Sequence, residues 1–342
     1  VSPGGRVHWA GLAAGDDAVP YQYSDDRGET WSDVYDIAED NGADREWINV
    51  RPSDGAIFVT WRDFGDSESR VAVRVSKDNG MTWSPAVKAA DDTRQGGAVP
   101  DPNGGAVYLP YDLDGVIKVA RSFDDGASWD SVDVTTTVGQ RGHIFPVAAV
   151  DGGGIVYVVY ARDEEAPTPA PDLVFETDRG LEHPDVYLQV STDKGATWSA
   201  PLKLNGDGTT AVFPWIAAGD RGRVVVAWYE NPLGTPPHVG QWFTTAAISV
   251  DADSDGPRFA TTRVSEEPAH TGQFCTSGGA CVLTGQDRTM LDFFEVAIHP
   301  DGYPVLTWAA DSDVRRATIS VYASKMTEGS RLLEPDTDPA AG

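Results

Sequence analysis

The chain has 342 residues, of which 53 are Asp or Glu and 26 are Lys or Arg, so its formal net charge is -27. A protein that binds nucleic acid or an anionic membrane surface needs a basic footprint, and this charge balance excludes both partners. Hydrophobic residues make up 40% of the chain, which is enough to bury a sizeable core, so we expect a globular fold and not disorder.

The sequence also carries signals about cellular compartment. It contains no run of about 18 apolar residues, so no membrane-spanning helix is expected. The chain begins at Val1 without a basic segment followed by an apolar one, which predicts a mature or trimmed form. Its two cysteines, Cys275 and Cys281, share a short polar loop and are predicted to form a local disulfide, the alternative being a reduced pair. A disulfide favours an oxidising compartment, so we predict a secreted or cell-surface protein.

Four segments repeat the pattern Ser-x-Asp-x-Gly-x-Thr/Ser-Trp. Each copy lies between two apolar stretches with alternating polarity, so it is predicted to form the turn of a β-hairpin. The Ser and Asp side chains can satisfy turn amides, the Gly allows a positive φ, and the Trp is expected to pack back as an apolar plug. The four copies are Ser24–Trp31, Ser76–Trp83, Ser122–Trp129 and Ser191–Trp198.

Ahead of each hairpin lies a second recurring pair of apolar strands, the second of which ends in Trp or Tyr. Units of four strands at periods of roughly 45 to 70 residues are typical of propeller blades. We therefore predict an all-β fold, a single six-bladed β-propeller over residues 1–330 with four-stranded antiparallel blades and loop insertions. The predicted blades cover roughly residues 1–40, 41–92, 93–138, 139–206, 207–268 and 287–326.

The remaining segments interrupt or extend this pattern. Two insertions, residues 163–183 and 266–286, are long loops of the kind that often carries function in such folds, the alternative being disordered decoration. The first unit lacks its innermost strand and the last shows three strands, so closure is predicted to borrow a strand between these blades. Residues 331–342 are predicted to be a tail or linker.

The four repeats resemble the Asp box, or BNR repeat, of the sialidase-like superfamily of β-propellers, and the resemblance covers almost the whole chain as fold. It implies six blades and a site for a glycan at the central channel. Sialidases of this family bind the substrate carboxylate with three arginines and use a Tyr–Glu pair and an Asp in catalysis. By blade position, Arg45, Arg141 and Arg288 would supply the arginines. The catalytic signature is incomplete, because the family's Arg-Ile-Pro segment is missing and no Tyr with a Glu partner lies near the last blades.

The residues where the innermost strands begin are unusually polar. Arginines around a channel can bind a carboxylate or sulfate through the guanidinium fork, and carboxylates beside them can transfer protons. At any single position the alternative is a local cap or salt bridge. Glu295 is a further acid/base candidate, unless it points outward or into packing. The predicted substrate-binding residues are Arg45, Arg94, Arg141, His143 and Arg288, and the predicted catalytic residues are Glu46, Asp287 and Asp292.

The fifth blade departs from the Asp box, because its turn has alternating carboxylates that end in Gly256. Asp251, Asp253 and Asp255 match the first half of an oxygen-ligand calcium loop, although the twelfth position is Thr262 and not Glu. No cofactor is required by the sequence, and Ca²⁺ is the structural ion that it suggests. The alternative is a degenerate Asp box with a solvated acidic tip.

These observations predict a secreted propeller that acts on a glycan, in particular an acidic one, as a glycoside hydrolase. Two other functions fit the same sequence. The first is a non-catalytic glycan-binding or structural protein of the cell surface. The second is a glycan lyase, in which a base removes a proton beside a uronate carboxylate. Neither nucleic acid nor membrane insertion is expected.

Overall fold

The computed structural model describes residues 1–13, 18–38, 42–65, 69–91, 93–137, 145–163, 183–235, 239–272, 287, 289–290, 294–311 and 319–334, and the backbone of residues 140–141. No helix in these ranges has the length and apolar character needed to cross a membrane. The strands of these ranges form six antiparallel sheets, and the fold is the six-bladed β-propeller predicted from the sequence.

The first three sheets follow one another along the chain. Sheet one has the order β1–β2–β3, with strands Val7–Ala10, Pro20–Ser24 and Tyr35–Asp36. Sheet two has the order β4–β5–β6–β7, with strands Ala43–Val50, Ile57–Asp63, Arg70–Ser76 and Val87–Asp91. Sheet three has the order β12–β11–β10–β8, and β9 also pairs with β10. Its strands β8 to β12 are Arg94–Gln95, Val99–Pro100, Val107–Leu113, Val116–Ser122 and Asp130–Asp133.

The last three sheets continue in the same way. Sheet four has the order β13–β15–β16–β17, and strands β13 to β17 are Gln140–Arg141, Val147–Val150, Val156–Asp163, Asp185–Ser191 and Leu202–Lys203. Sheet five has the order β18–β19–β20–β21, with β22 beside β20. Its strands β18 to β22 are Thr210–Ala218, Val224–Asn231, Gln241–Ser249, Ala260–Arg263 and His270–Thr271. Sheet six has the order β23–β24–β25, with strands Phe294–Ile298, Pro304–Ala310 and Ser320–Lys325.

The number of strands per blade differs from the predicted four, since the described sheets contain three to five. In sheet three the difference arises at Gly96 and Gly97, which separate β8 from β9. A Cβ at Gly96 would lie 2.4 Å from the carbonyl oxygen of Pro146, and one at Gly97 would lie 2.8 Å from the Asn49 amide. Only glycine fits such close approaches, so the innermost strand of this sheet is interrupted there.

Contacts between Cα atoms divide the chain into two compact units. The first comprises Val1–Thr137, Phe145–Val150 and Ser191–Trp198, and the second comprises Val138–Ile144, Asp151–Val190 and Ser199–Gly342. In the first unit, one buried cluster between sheets one and two includes Tyr21, Ile37 and Trp61, and another between sheets two and three includes Phe58 and Leu109. The predicted single domain over residues 1–330 stays a prediction.

The four Asp-box copies form the predicted hairpin turns. In each, the Gly N–H donates to the Ser Oγ at 2.7–2.9 Å, and the Thr or Ser N–H donates to the Asp Oδ1 at 2.8 Å. The glycine has a φ between 75° and 92° in all four, as predicted. The Trp129 indole donates to the Gly126 carbonyl oxygen and packs partly against the core, whereas Trp31 is 42% exposed.

Hydrogen bonds in these turns favour the ionised aspartate. The Thr30 hydroxyl and amide hold the pKa of Asp26 at about 2, and Ser128 and Thr197 hold the pKa of Asp124 and Asp193 at about 2 in the same way. The charge of these aspartates therefore has a structural role, and they are not candidates for catalysis.

We expect Ser122→Ala to lower the free energy of unfolding by about 1–3 kcal/mol. Ser122 is 1% exposed, and its loss leaves the N–H of Gly126 without its acceptor. Chemical denaturation followed by tryptophan fluorescence measures the effect. Ala127→Ser adds a hydroxyl to the exposed side of the same turn, and as a control it should stay within about 0.5 kcal/mol of the parent. Equal stabilities of the two variants would contradict the assigned role of the serine.

Candidate functional site

Among the described carboxylates, Glu295 is the one best suited to proton transfer. It lies on β23 in the second unit. In sheets two, five and six, the second of the first two paired strands (β5, β19 and β24) contains a Trp. In each case one residue of the strand before it (β4, β18 or β23) pairs with the residue that precedes this Trp. The pairs are Trp47 with Thr60, Trp215 with Ala227, and Glu295 with Thr307. Sheet six therefore has a carboxylate where sheets two and five have an indole. Within the second unit the two side chains meet, since Trp215 Nε1 donates to Glu295 Oε1 at 2.9 Å.

A β-bulge positions Trp215 on β18. The register shifts between Val212 and Trp215, and Phe213 has a φ of +53°, which is rare for a bulky residue. Pro214 lies in the bulge and has no N–H, so it needs no hydrogen-bond acceptor from the neighbouring strand. The bulge turns the strand locally and presents the Trp215 indole to Glu295.

The surroundings of Glu295 change its acidity. The side chain is accessible to water, yet desolvation by the surrounding protein raises its pKa to about 7, while hydrogen bonds from Trp215 and from the Val296 amide act in the opposite direction. A carboxyl group with this pKa exchanges its proton near neutral pH. It can therefore act as a general acid when protonated and as a general base when ionised.

A second carboxylate, Glu230, lies near the end of β19. It pairs in register with Ala211 and Phe243, and Trp228 Nε1 donates to its Oε2 at 2.8 Å. Burial raises the pKa of Glu230, against the opposing effects of the Trp228 hydrogen bond and the positive charge of Arg263.

The residues beside the two glutamates join sheets five and six. The rings of Tyr229 and Phe294 meet edge to face at 5.0 Å, and the Tyr229 hydroxyl donates to the carbonyl oxygen of Ala309 at 3.1 Å. Glu295 lies near the start of β23, and Glu230 lies near the end of β19, opposite Ala211 near the start of β18. We call the region where β18 and β23 begin the leading edge of these two sheets.

The predicted site residues of the first unit lie on sheets two and three. Arg45 and Glu46 occupy a bulge in β4, where Arg45 has a φ of +56° and its guanidinium lies 5.7 Å from the centroid of the Phe145 ring. Gln95, next to Arg94 on β8, donates its side-chain amide to the carbonyl oxygen of Arg45 at 3.1 Å. The starts of β4 and β8 are thus adjacent, and the predicted role of these arginines in binding substrate stays a prediction.

The other predicted site residues are placed only in part. The backbone of Arg141 lies on β13 opposite Arg162, while His143, Arg288, Asp292, Cys275 and Cys281 lie outside the described residues. Asp287 accepts hydrogen bonds from the amide and the hydroxyl of Thr289, at 2.8 Å and 2.7 Å. The predicted catalytic role of Asp287 and the predicted disulfide stay predictions.

The acidic turn of the fifth blade uses two of its carboxylates within the protein. Asp251 accepts hydrogen bonds from Ser249 Oγ at 3.0 Å and from the amide of Arg258 at 2.9 Å, so it takes the place of the Asp-box aspartate in a longer turn. Asp253 pairs with Arg221 at 2.9 Å, and Asp255 is exposed. The calcium hypothesis stays a prediction. If it is right, we expect Tm to rise when Ca²⁺ is added, and an unchanged Tm would refute it.

Sequence reasoning included Glu295 but missed Glu230, His270 and Asp311. The sequence did contain a signal for Glu230 and Asp311. In several blades the Trp or Tyr of the second strand is followed within three residues by an acidic or amide side chain. The pattern places Glu230 and Asn231 after Trp228, Asp163 after Tyr160, and Asp311 after Trp308. No comparable pattern marks His270.

Comparisons with known proteins agree with this architecture. A family model described as BNR/Asp-box repeat matches residues 22–33, which contain the first of the four turns. A curated sialidase of Paraclostridium sordellii is 26% identical over 176 residues, covering 41% of this chain and 41% of that protein. The chain thus matches about two fifths of that relative's length.

Solved structures are similar over most of the chain. The leech intramolecular trans-sialidase has a TM-score of 0.55 at 11% identity, over 94% of this chain and 66% of that one. An α-L-arabinofuranosidase of Fusarium graminearum in complex with arabinobiose has a TM-score of 0.52 at 16% identity, over 90% of this chain and 85% of that one. At these identities the likeness concerns the fold. The resemblance inferred from the sequence is confirmed: the chain has the fold of the sialidase-like β-propellers and carries a BNR/Asp-box repeat.

Proposed function

We propose that the protein is a glycoside hydrolase that acts on a glycan at the leading edge of sheets five and six, with Glu295 as its acid/base residue. The observation that carries this proposal is the accessible carboxyl group of Glu295, with a pKa of about 7 and a fixed hydrogen bond from Trp215. The similar proteins whose names state an activity, a sialidase and an arabinofuranosidase, support a glycan as substrate.

The chemistry follows from general rules of glycoside hydrolysis. Protonated Glu295 gives its proton to the glycosidic oxygen as the bond to the anomeric carbon breaks, and water then adds to that carbon. The proton lost by the water goes to a carboxylate, for which Glu230 is our candidate at the same edge. A folded chain with this activity and a predicted disulfide fits a secreted protein, so we also propose an extracellular location.

A panel of chromogenic sialosides, chromogenic α-L-arabinofuranosides and uronic-acid polymers tests the proposal. Hydrolysis releases the chromophore or a saturated reducing end, whereas a lyase would form an unsaturated uronide that absorbs in the ultraviolet. We expect turnover with a saturated product. Glycan binding without turnover would overturn the hydrolase assignment in favour of the non-catalytic alternative, and an unsaturated product would overturn it in favour of the lyase.

A further inference from the structure

Three side chains that could bind a metal lie together in the second unit, and none of them is Glu295 or Glu230: His270, Asp287 and Asp311. One potential ligand atom from each lies within 4.8 Å of the other two. His270 belongs to β22, which pairs with the start of β20 through Trp242, and Asp311 directly follows the last residue of β24. The amide of Asp311 donates to the carbonyl oxygen of Ala269 at 2.9 Å, so backbone contacts fix the spacing of these two ligands.

The group combines a buried imidazole with two partly buried carboxylates. His270 is 1% exposed, and its Nδ1 lies 2.8 Å from Asp311 Oδ1. Among the residues that the structure describes, no lysine or arginine forms an ion pair with Asp287 or Asp311. Two partly buried carboxylates and one imidazole thus lie close together, an arrangement that a bound cation would stabilise.

The hydroxyl of Thr289 supplies a second, independent observation. Its oxygen lies 2.7 Å from Asp287 Oδ1 and 3.0 Å from Asp311 Oδ2. A hydroxyl has one hydrogen and can donate it to only one of these acceptors. One of the two carboxylates is therefore left with less than a full hydrogen bond, and a cation beside them would supply the missing positive charge.

We propose that His270, Asp287 and Asp311 bind a Zn²⁺ ion. One imidazole nitrogen and two carboxylate oxygens form a donor set that suits Zn²⁺, whereas Ca²⁺ and Mg²⁺ prefer oxygen ligands alone. Ligands at about 2.0–2.2 Å in a tetrahedron stand roughly 3.4 Å apart. The 2.8 Å contact between His270 and Asp311 therefore needs to open by about 0.6 Å, and ligand atoms farther apart than 3.4 Å need to approach. Thr289 or a water can fill the fourth position.

The ion would cross-link β22, the end of β24 and the segment around Thr289. These elements belong to sheets five and six, so the expected effect of Zn²⁺ is greater stability of the second unit. The proposal does not depend on the glycosidase assignment, because neither Glu295 nor Glu230 is a ligand and the test measures binding.

The test uses the whole protein after treatment with a chelator and its removal. Zn²⁺ is titrated in competition with a chromophoric chelator, and Tm is measured with and without the ion. We expect one equivalent to bind, and Tm to rise by roughly 4 °C when free Zn²⁺ reaches a hundred times Kd. Absence of Zn²⁺ binding would overturn the proposal, and so would tighter binding of Ca²⁺ than of Zn²⁺ that is lost in Asp287→Asn.

Variants locate the ion. Asp287→Asn keeps the size of the side chain and removes one charged ligand, and we expect it to weaken Zn²⁺ binding by about tenfold or more. The matched control is Asp301→Asn in the exposed pair of His299 and Asp301, which has the same 2.8 Å contact but lies outside this group. Equal Kd values for Asp287→Asn and the parent would overturn the assignment even if Zn²⁺ binds elsewhere.

Discussion

Replacing Glu295 with glutamine is expected to lower kcat/KM on the best substrate of the panel by about 10²- to 10⁴-fold, the usual contribution of a general acid. Glutamine keeps the shape of the side chain and can still accept the hydrogen bond from Trp215, so the fold should be retained. The steady-state rate, with circular dichroism as a check of folding, measures the effect. Glu328→Gln changes an exposed glutamate in the same way and should leave the rate unchanged.

The pH profile separates a catalytic role of Glu295 from a structural one. A general acid with a pKa of about 7 loses its proton as the pH rises through 7, so the parent rate should fall above this pH. Trp215→Phe removes a hydrogen bond that lowers this pKa, so the fall should move to higher pH. A rate that falls at the same pH in both proteins would contradict the role of Glu295.

The same group also predicts how stability depends on pH. The pKa of Glu295 is raised above its ordinary value of 4.5, so its contribution to stability is complete below pH 4.5 and is lost as the pH rises through about 7. Denaturation series between pH 4 and 8 should show a smaller loss of stability over this window in Glu295→Gln than in the parent.

Asp151→Ala is expected to destabilise the fold more than any other single change considered above, by about 4 kcal/mol. Asp151 has no exposed surface, and its two oxygens accept hydrogen bonds from four donors. These donors are the amides of Gly153, Ile155 and Gly222 and the hydroxyl of Tyr157, at 2.8, 3.0, 2.8 and 2.8 Å. Alanine leaves all four without this acceptor in a buried site. The midpoint and slope of urea denaturation give the free energy.

Two further variants test this explanation. Asp151→Asn keeps one acceptor oxygen but turns an amide donor toward the amide of Gly222 or the hydroxyl of Tyr157, so its stability should lie between those of the parent and the alanine variant. Asp207→Ala removes a fully exposed aspartate of the same unit and should change stability by less than about 0.5 kcal/mol. Similar effects of Asp151→Ala and Asp207→Ala would contradict the argument.

The sequence predicted the fold well because its repeats are local. In the Asp-box turns, the hydrogen-bond partners of the Ser122 hydroxyl lie within four residues, so a short motif carries the side-chain pattern of the turn. The number of strands per blade was harder to predict, because the break at Gly96 depends on the approach of Pro146, fifty positions away. Register along a strand is also local, which is why Glu295 could be recognised as an acid/base candidate.

The rest of the site depends on contacts between distant segments. The pKa of Glu295 depends on desolvation by its surroundings and on Trp215, which lies 80 residues away. His270 and Asp311 are 41 residues apart and meet only because β22 pairs with β20 while β24 ends beside it. Neither effect leaves a periodic trace in the sequence, so neither could be predicted from pattern alone.

The hydrogen-bonded aspartates of the Asp-box turns have a consequence for acid tolerance. With pKa values of about 2, Asp26, Asp124 and Asp193 stay ionised at pH 3, where an ordinary surface carboxylate has already begun to take up a proton. Their contribution to stability is complete above the ordinary aspartate pKa of 3.8 and is lost progressively as the pH falls from there through about 2. At a pH near 3 the Asp-box aspartates therefore remain ionised, while many other surface carboxylates are protonated. The outer hairpins keep the hydrogen bonds of their turns under these conditions.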